Sequence, residues 1–235
     1  MYIRLADINI SIDIKYKYMF YLCQDYIIDK PNSIDITIKA TDEEMQEELK
    51  AADDEFPEWY AEAIVCYRKI CHELYRFNAI MIHGSAVEFD NKAYIFTALS
   101  GTGKTTHTEL LKEYLKDKLT YINGDKPIIR KIDNDYYVYG TPWNGKEGYG
   151  ENKKAKLSSI IFLERGMNNT VSDISNKEII RKITEQVVLP NDAIESIKFL
   201  DILDDVLKSS KKYLLKCNME NDAPICTYEN ILLKG

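Results

Sequence analysis

Glycine and proline are scarce in this chain of 235 residues, ten and six respectively, and no low-complexity tract or internal repeat runs through it. That scarcity, with 45% hydrophobic and 29% charged residues, excludes a collagen-like, solenoid or disordered polymer and indicates a folded α/β protein. No apolar run approaches the roughly 20 residues that cross a bilayer. The start, Met1-Tyr2-Ile3-Arg4, lacks the apolar block of a secretion signal, so the expected location is the cytoplasm. The five cysteines, Cys23, Cys66, Cys71, Cys217 and Cys226, are odd in number and contain no C-x-x-C pair, which argues against a disulfide framework or a structural zinc site. Basic residues are outnumbered, 31 Lys and Arg against 38 Asp and Glu, for a net charge of −7. Nucleic acid and anionic membrane surfaces are therefore not expected partners, and any basic site must be local.

What is present is an alternation of strand-like and helix-like segments. Residues 3–14 alternate apolar and polar side chains as one half-buried strand, and 34–40 do the same after the turn-rich Lys30-Pro31-Asn32-Ser33. Thr41-Asp42-Glu43-Glu44 has the form of a capping box, and a longer helix is predicted from Pro57 to Phe77. Short apolar strands follow from 79, with Asp90-Asn91 as a hairpin turn, a helix over about 104–115 and a buried strand over 119–122. Asp133-Asn134-Asp135 is a second turn, 157–165 a core strand, and the end carries helices at about 176–188 and 192–208, a strand at 213–217 and a closing helix near 227–233. The pattern divides into an N-terminal α+β elaboration, residues 1–78, and an α/β core with antiparallel additions, residues 79–235.

The most informative stretch is Ser100-Gly101-Thr102-Gly103-Lys104-Thr105-Thr106, which follows an apolar strand and opens a helix. A triphosphate carries closely spaced anionic oxygens, and a tight loop at a helix N-terminus meets them with backbone N–H groups and the positive end of the helix dipole. Gly101 and Gly103 sit where the backbone must come close, Lys104 reaches the β- and γ-phosphates, and the Thr105 hydroxyl suits Mg²⁺. The general pattern G-x-x-x-x-G-K-[ST] has Ala98 at its first position here, which leaves the entry turn without a residue that reaches positive φ freely. Mg²⁺ also wants a carboxylate, and Asp125, after the strand over 119–122, is the candidate. The alternative for Asp125 is ordinary turn chemistry in Asn123-Gly124-Asp125. Expected ligands are therefore ATP, or another nucleoside triphosphate, and Mg²⁺.

The Ser100–Thr106 run resembles the loop of phosphoenolpyruvate carboxykinase, and His83-Gly84 upstream with Asp125 downstream resembles the core of HPr kinase/phosphorylase. More broadly, the segments IHGSAVEF, SGTGKTT, NGDKP, YGTPWNGK and FLER are similar to small HPr-kinase-like bacterial proteins. The resemblance implies a P-loop mixed-sheet core of the HPr kinase/phosphoenolpyruvate carboxykinase type, with His83 near the γ-phosphate. It makes Asp125 the second of an acidic pair whose first member is Gly124 here. Three roles stay open: Asp125 as base, Asp125 as metal ligand with His83 as base, or no base at all. His83 also reads as a core histidine bonded to backbone.

Four glycines within 140–150 make that segment a connection able to close over a site, with Lys146 placed to offset phosphate charge and Trp143 to stack on a ring. Lys126 and Arg165 are further charge-clamp candidates, His107 is expected at a solvated helix position, and His72 has no assigned role. Two functions follow. One is ATP- and Mg²⁺-dependent phosphoryl transfer to a hydroxyl of a peptide, protein or small metabolite. The other is a nucleotide-binding regulator or scaffold that does not turn over. Carboxykinase chemistry on a small acid is disfavoured, since no second Lys/His metal pair or Arg cluster is evident.

Overall fold

A computed structural model describes residues 1–52 and 55–235. The N-terminal sheet has three strands, β1 (Tyr2–Leu5), β2 (Ile8–Asp13) and β3 (Ile36–Lys39), in the order β1-β2-β3. Residues 3–14 are therefore two strands and not the single one expected. Ala6 and Asp7 adopt positive φ, 48° and 59°, and fold the segment into a tight antiparallel hairpin. The helix α1 (Lys17–Leu22), absent from the sequence expectation, links β2 to the remainder of this sheet, and β3 lies parallel to β2. Helices α2 (Asp42–Ala51) and α3 (Glu58–Leu74) complete the region. Thr41 and Glu44 close a reciprocal capping box at α2, as their spacing requires. α3 buries Ala61, Val65, Cys66, Ile70 and Leu74, spaced so that one helix face meets the core.

The larger sheet holds nine strands. Its members are β4 (Ala79–Met81), β5 (Ser85–Phe89), β6 (Lys92–Thr97), β7 (Leu119–Asn123), β8 (Ile128–Ile132), β9 (Asp135–Tyr139), β10 (Lys154–Arg165), β11 (Thr170–Ser172) and β12 (Lys211–Cys217). The order is β4-β8-β9-β10-β6-β5-β7, with β12 paired to both β10 and β11. The long β10 organises it: its first residues pair antiparallel with β9, and its later ones run parallel to β6 and β12. The result is a mixed α/β structure around a mixed, curled sheet. Within it β5 lies between β6 and β7, antiparallel to each, as the Asp90-Asn91 hairpin requires for β6. Because both neighbours oppose β5, β6 and β7 still point the same way. The C-terminal ends of β6, β7, β10 and β12 thus share one edge.

Helices α4 (Lys104–Leu115), α5 (Asn176–Thr184), α6 (Ala193–Ser209) and α7 (Ala223–Asn230) cover this sheet. Asp90-Asn91 turns β5 into β6 with φ of 51° and 58°, and Ser175 with Glu178 caps α5. Two buried clusters flank the sheet: one under α5 and α6 includes Ile95, Ile160, Phe162 and Phe199, and one under α4 and α7 includes Phe96, Leu111, Ile161 and Leu215. A third cluster, of the N-terminal sheet and α3, runs on into Ala79, Met81, Ile128 and Tyr139. Cys23, Cys66, Cys71 and Cys217 are buried free thiols, and Cys226 is free and half-buried. No helix among the described residues is long and apolar enough to cross a membrane.

His107 departs from the solvated position expected of it. It is 3% exposed, packs against Phe96 at 5.4 Å between ring centroids, and its Nε2 lies 2.9 Å from Thr227 Oγ1, pinning α4 to α7. Helical spacing decides this: Thr108 and Leu111 on the same side of α4 are also buried. Burial pushes the His107 imidazole down to about 4. The unfolded chain binds that proton near the ordinary histidine value, so the stability contributed is complete above about pH 6.5 and is lost as pH falls through about 4. Chemical denaturation of wild type and His107→Gln should show this as a difference between the two acid profiles of about 3 kcal/mol across that window. Parallel profiles would contradict the assignment.

Candidate functional site

β6 ends at Thr97, and Ala98 to Gly103 form the loop that opens α4. The loop needs left-handed backbone at two places, Gly101 with φ 75° and Gly103 with φ 114°, both filled by the residue type that reaches it without strain. Ala98 is not among the residues with positive φ, so its replacement of the pattern's first glycine leaves no backbone conflict. Thr102 N–H closes the turn on Leu99 O at 3.2 Å.

Two cations hold the loop from its carbonyl side. Lys104 Nζ donates to Ala98 O at 2.9 Å, and Arg165, at the end of β10, donates to Gly101 O at 2.5 Å and Thr102 O at 3.3 Å. A trans peptide sets its N–H opposite its C=O, so the N–H of Gly103 points away from Arg165. The N–H groups of Lys104, Thr105 and Thr106 begin α4 and have no intrahelical acceptor. Burial pushes the Lys104 ammonium below its ordinary value, against the neighbouring Asp125 charge, which pulls it up.

Asp125 reaches the same edge from β7. Its placement depends on Asn123, a fully buried side chain that sequence reasoning did not single out. Asn123 Oδ1 accepts from the N–H groups of Asp125 at 2.8 Å and Lys126 at 2.6 Å, and its Nδ2 donates to Thr141 O and Oγ1, both at 3.0 Å. Asn123 thus does the turn-capping. The Asp125 carboxylate faces two side-chain partners instead, His83 Nε2 at 3.2 Å and the Lys126 ammonium Nζ at 3.1 Å. Burial alone would raise its carboxyl, but the His83 hydrogen bond and the Lys126 charge outweigh it and leave it below the ordinary value. His83 is fixed by its own backbone: its N–H donates to Gln186 O at 2.7 Å, and its O accepts from Thr97 Oγ1 at 2.9 Å. Its ring lies toward Asp125.

The connection over 140–150 is anchored at both ends. Trp143 Nε1 donates to Ala63 O at 3.2 Å and its ring packs on Tyr67, so it is half-buried against α3. Tyr149 stacks on Tyr121 at 4.7 Å and donates to Glu109 at 2.9 Å. Lys146 and Glu147 occupy the exposed tip between these anchors.

One cavity of about 760 Å³ gathers these groups. Ser100, Gly101, Gly103, Lys104, Thr105 and Thr106 line it, together with His83, Gly124, Asp125 and Lys146. Thr102 lies on the far side of the loop, lining a second cavity with Arg165. Three further contributors carry no local sequence signal: Tyr18, Trp59 and Tyr60, brought from α1 and α3 to the wall of the main cavity. Its volume falls within the roughly 300–1,000 Å³ of small-molecule sites.

The resemblance pairs Gly124 with an acid, and the structure explains why none stands there. A Cβ on Gly124 would lie 2.7 Å from Asn144 O and 3.1 Å from Tyr149 O, both backbone atoms.

No protein-family model matches the chain, and no curated protein matches it. Among solved structures, that of the Hpr(Ser) kinase/phosphatase from Coxiella burnetii aligns over 55% of this chain and 91% of its own, at 11% identity and a TM-score of 0.29. At that TM-score the site has to be read from its own geometry.

Gly124→Ala, measured by urea denaturation, should cost about 1–3 kcal/mol, because the crowding atoms are main chain and cannot step aside. Gly124→Asp should cost at least as much and not yield a second carboxylate in the cavity. Stability equal to wild type in either variant would contradict the packing described.

Proposed function

We propose that the chain is an ATP- and Mg²⁺-dependent phosphotransferase, with a P-loop of the HPr kinase type, acting on a hydroxyl group. One observation carries the reading. A helix N-terminus with free N–H groups and a buried lysine faces, within a single cavity, a carboxylate held by an imidazole. The first half suits a polyphosphate and the second suits the reacting end of one.

In this reading the N–H groups from Gly103 to Thr106 cradle the phosphates, and Lys104 turns from Ala98 O to the β- and γ-oxygens. Mg²⁺ needs few protein ligands, since phosphate oxygens and water complete its shell. Thr105 and Asp125 line the same cavity and fit that requirement; no cluster of three or more His, Cys, Asp or Glu side chains exists among the described residues as a rival cage. When bound, the metal neutralises charge on the phosphate oxygens.

The acceptor oxygen attacks the γ-phosphorus, and the bond from that phosphorus to the β–γ bridging oxygen breaks. The nucleoside diphosphate leaves with that electron pair, and the hydroxyl proton passes to a cavity base. Asp125, held below its ordinary value, is ionised at neutral pH and can orient the hydroxyl, but it is a weak base. His83 presents Nε2 to Asp125, which leaves Nδ1 as the ring nitrogen open to a proton. A loose transition state asks little of a base, so positioning and the charges of Lys104 and Lys146 supply most of the effect.

A second reading has its own support. With position 124 closed to side chains and Asp125 already paired twice, the cavity offers, apart from Glu147 at the exposed tip, one carboxylate that is already committed, which suits an ATP-sensing regulator that does not turn over.

Thermal denaturation with Mg²⁺ and the non-hydrolysable analogue AMP-PNP separates binding from chemistry. Wild type should be stabilised by the analogue, and Lys104→Ala should lose at least about tenfold in affinity, the worth of a charge-assisted hydrogen bond. ADP formation with ATP should fall by about 10² or more in Asp125→Asn while the analogue still binds. Nucleotide binding without any ADP formation selects the regulator, and no binding by wild type rejects both.

A further inference from the structure

The cavity is two-faced. Besides its phosphate loop it is lined by a wall of Tyr18, Leu22, Trp59, Tyr60, Ala63 and Ile64, supplied entirely by α1 and α3. Its aromatic members form one group, with Tyr18 and Trp59 centroids 4.4 Å apart, Trp59 and Tyr60 at 6.0 Å, and Tyr18 and Tyr60 at 6.4 Å. Trp59 and Tyr60 nonetheless remain 39% and 42% exposed. These rings are ordered against one another while keeping apolar area open to the cavity.

The wall is also built on a buried charge. Glu62, with no exposure, sits inside α3 and accepts from the N–H groups of Lys15 at 2.5 Å and Tyr16 at 3.0 Å. Burying a carboxylate is costly unless it is hydrogen-bonded, and here both bonds fall on the two residues that lead into α1. Glu62 thereby locks α1 onto α3 and sets Tyr18 against Trp59.

The wall stands on the side of Asp125. A Cβ on Gly145 would lie 3.3 Å from Asp125 Cβ, and Trp143, two residues earlier, donates to Ala63 O in the wall itself. On the proposed function, on which this inference rests, Lys104 and Asp125 serve the β- and γ-phosphates, so the nucleobase lies at the opposite end of the polyphosphate from Asp125. An uncharged aromatic shelf beside the reacting phosphate has no use for a further phosphate and is suited to stacking.

We infer that the Tyr18–Trp59–Tyr60 wall receives the phosphoryl acceptor, and that this acceptor is an alcohol carrying an aromatic or bulky planar apolar group next to its hydroxyl. The N-terminal region is then the specificity element of the enzyme, and the α4 loop is its donor element.

Indole-3-ethanol serves as a probe, with glycerol as the hydroxyl control lacking a ring, each titrated by ligand-observed NMR against wild type saturated with Mg²⁺ and AMP-PNP. The expected result is that indole-3-ethanol binds together with AMP-PNP and that glycerol does not displace it. Trp59→Ala and Tyr60→Ala should weaken the probe by about tenfold while AMP-PNP affinity stays within about twofold. Both side chains are partly exposed, and unchanged thermal midpoints would establish that the variants fold. Competition between AMP-PNP and the probe, or loss of AMP-PNP affinity in the variants, would hand the wall to the nucleobase and overturn the inference. Absence of probe binding to wild type that does bind AMP-PNP would overturn it too and leave the nucleotide reading standing. Failure of wild type to bind AMP-PNP would remove both together.

Discussion

A loop that offers its N–H groups to an anion must turn its carbonyls the other way, and those carbonyls need donors of their own. Here Lys104 bonds Ala98 O from within the helix, and Arg165 bonds Gly101 O and Thr102 O from the end of β10. Hydrogen bonds to charged groups are worth roughly 1.5–3 kcal/mol each, enough to hold a loop whose glycines would otherwise leave it many conformations. The concave face of the loop therefore exists before any ligand arrives. Such preorganisation of the backbone is what makes fixed dipoles effective on a developing charge, and in the proposed reaction only the Lys104 side chain has to turn.

Topology brings the remaining groups to that loop. β6, β7, β10 and β12 run the same way, so the chain leaves each of them along one edge: at Ala98, at Gly124-Asp125, at Gly166 and at Asn218. His83 arrives at this edge because β5 opposes β6 and must begin where β6 ends. Within that frame Asn123 does for Asp125 what Arg165 does for the loop: it absorbs local backbone polarity and frees the functional side chain to face the cavity. Gly124 has the complementary task of letting the 140–150 connection pass directly over it.

Features governed by near neighbours in sequence were legible. The Thr41–Glu44 capping box, the Asp90-Asn91 turn, and the strand-loop-helix succession around Gly101 and Gly103 each depend on a few adjacent residues. Features governed by distant packing were not. Ala6-Asp7 turns without a glycine, so the β1–β2 hairpin looked like one strand, and the six residues of α1 carry no capping side chain. The pairing of β5 with β7 is a choice that no local pattern encodes. His107 looked like a surface residue until α7, 120 positions away, covered it. The candidate site divides the same way. Its glycines, Lys104, Thr105 and Asp125 have motif spacing, whereas the closure of position 124, the Asn123 turn and the Tyr18–Trp59–Tyr60 wall depend on residues far apart in the chain.

The central claim is that the N–H groups of the Ser100–Thr106 loop, other than that of Thr102, which is bonded to Leu99 O, form an anion receptor. Amide NMR of the ¹⁵N-labelled protein, titrated with Mg²⁺ and AMP-PNP, tests it residue by residue. The account predicts the largest downfield shifts at Gly101, Gly103, Lys104, Thr105 and Thr106, with smaller changes at Asp125 and at the 144–148 tip. Saturable binding that leaves those five amides unmoved, with the changes gathered elsewhere on the molecule, would contradict it.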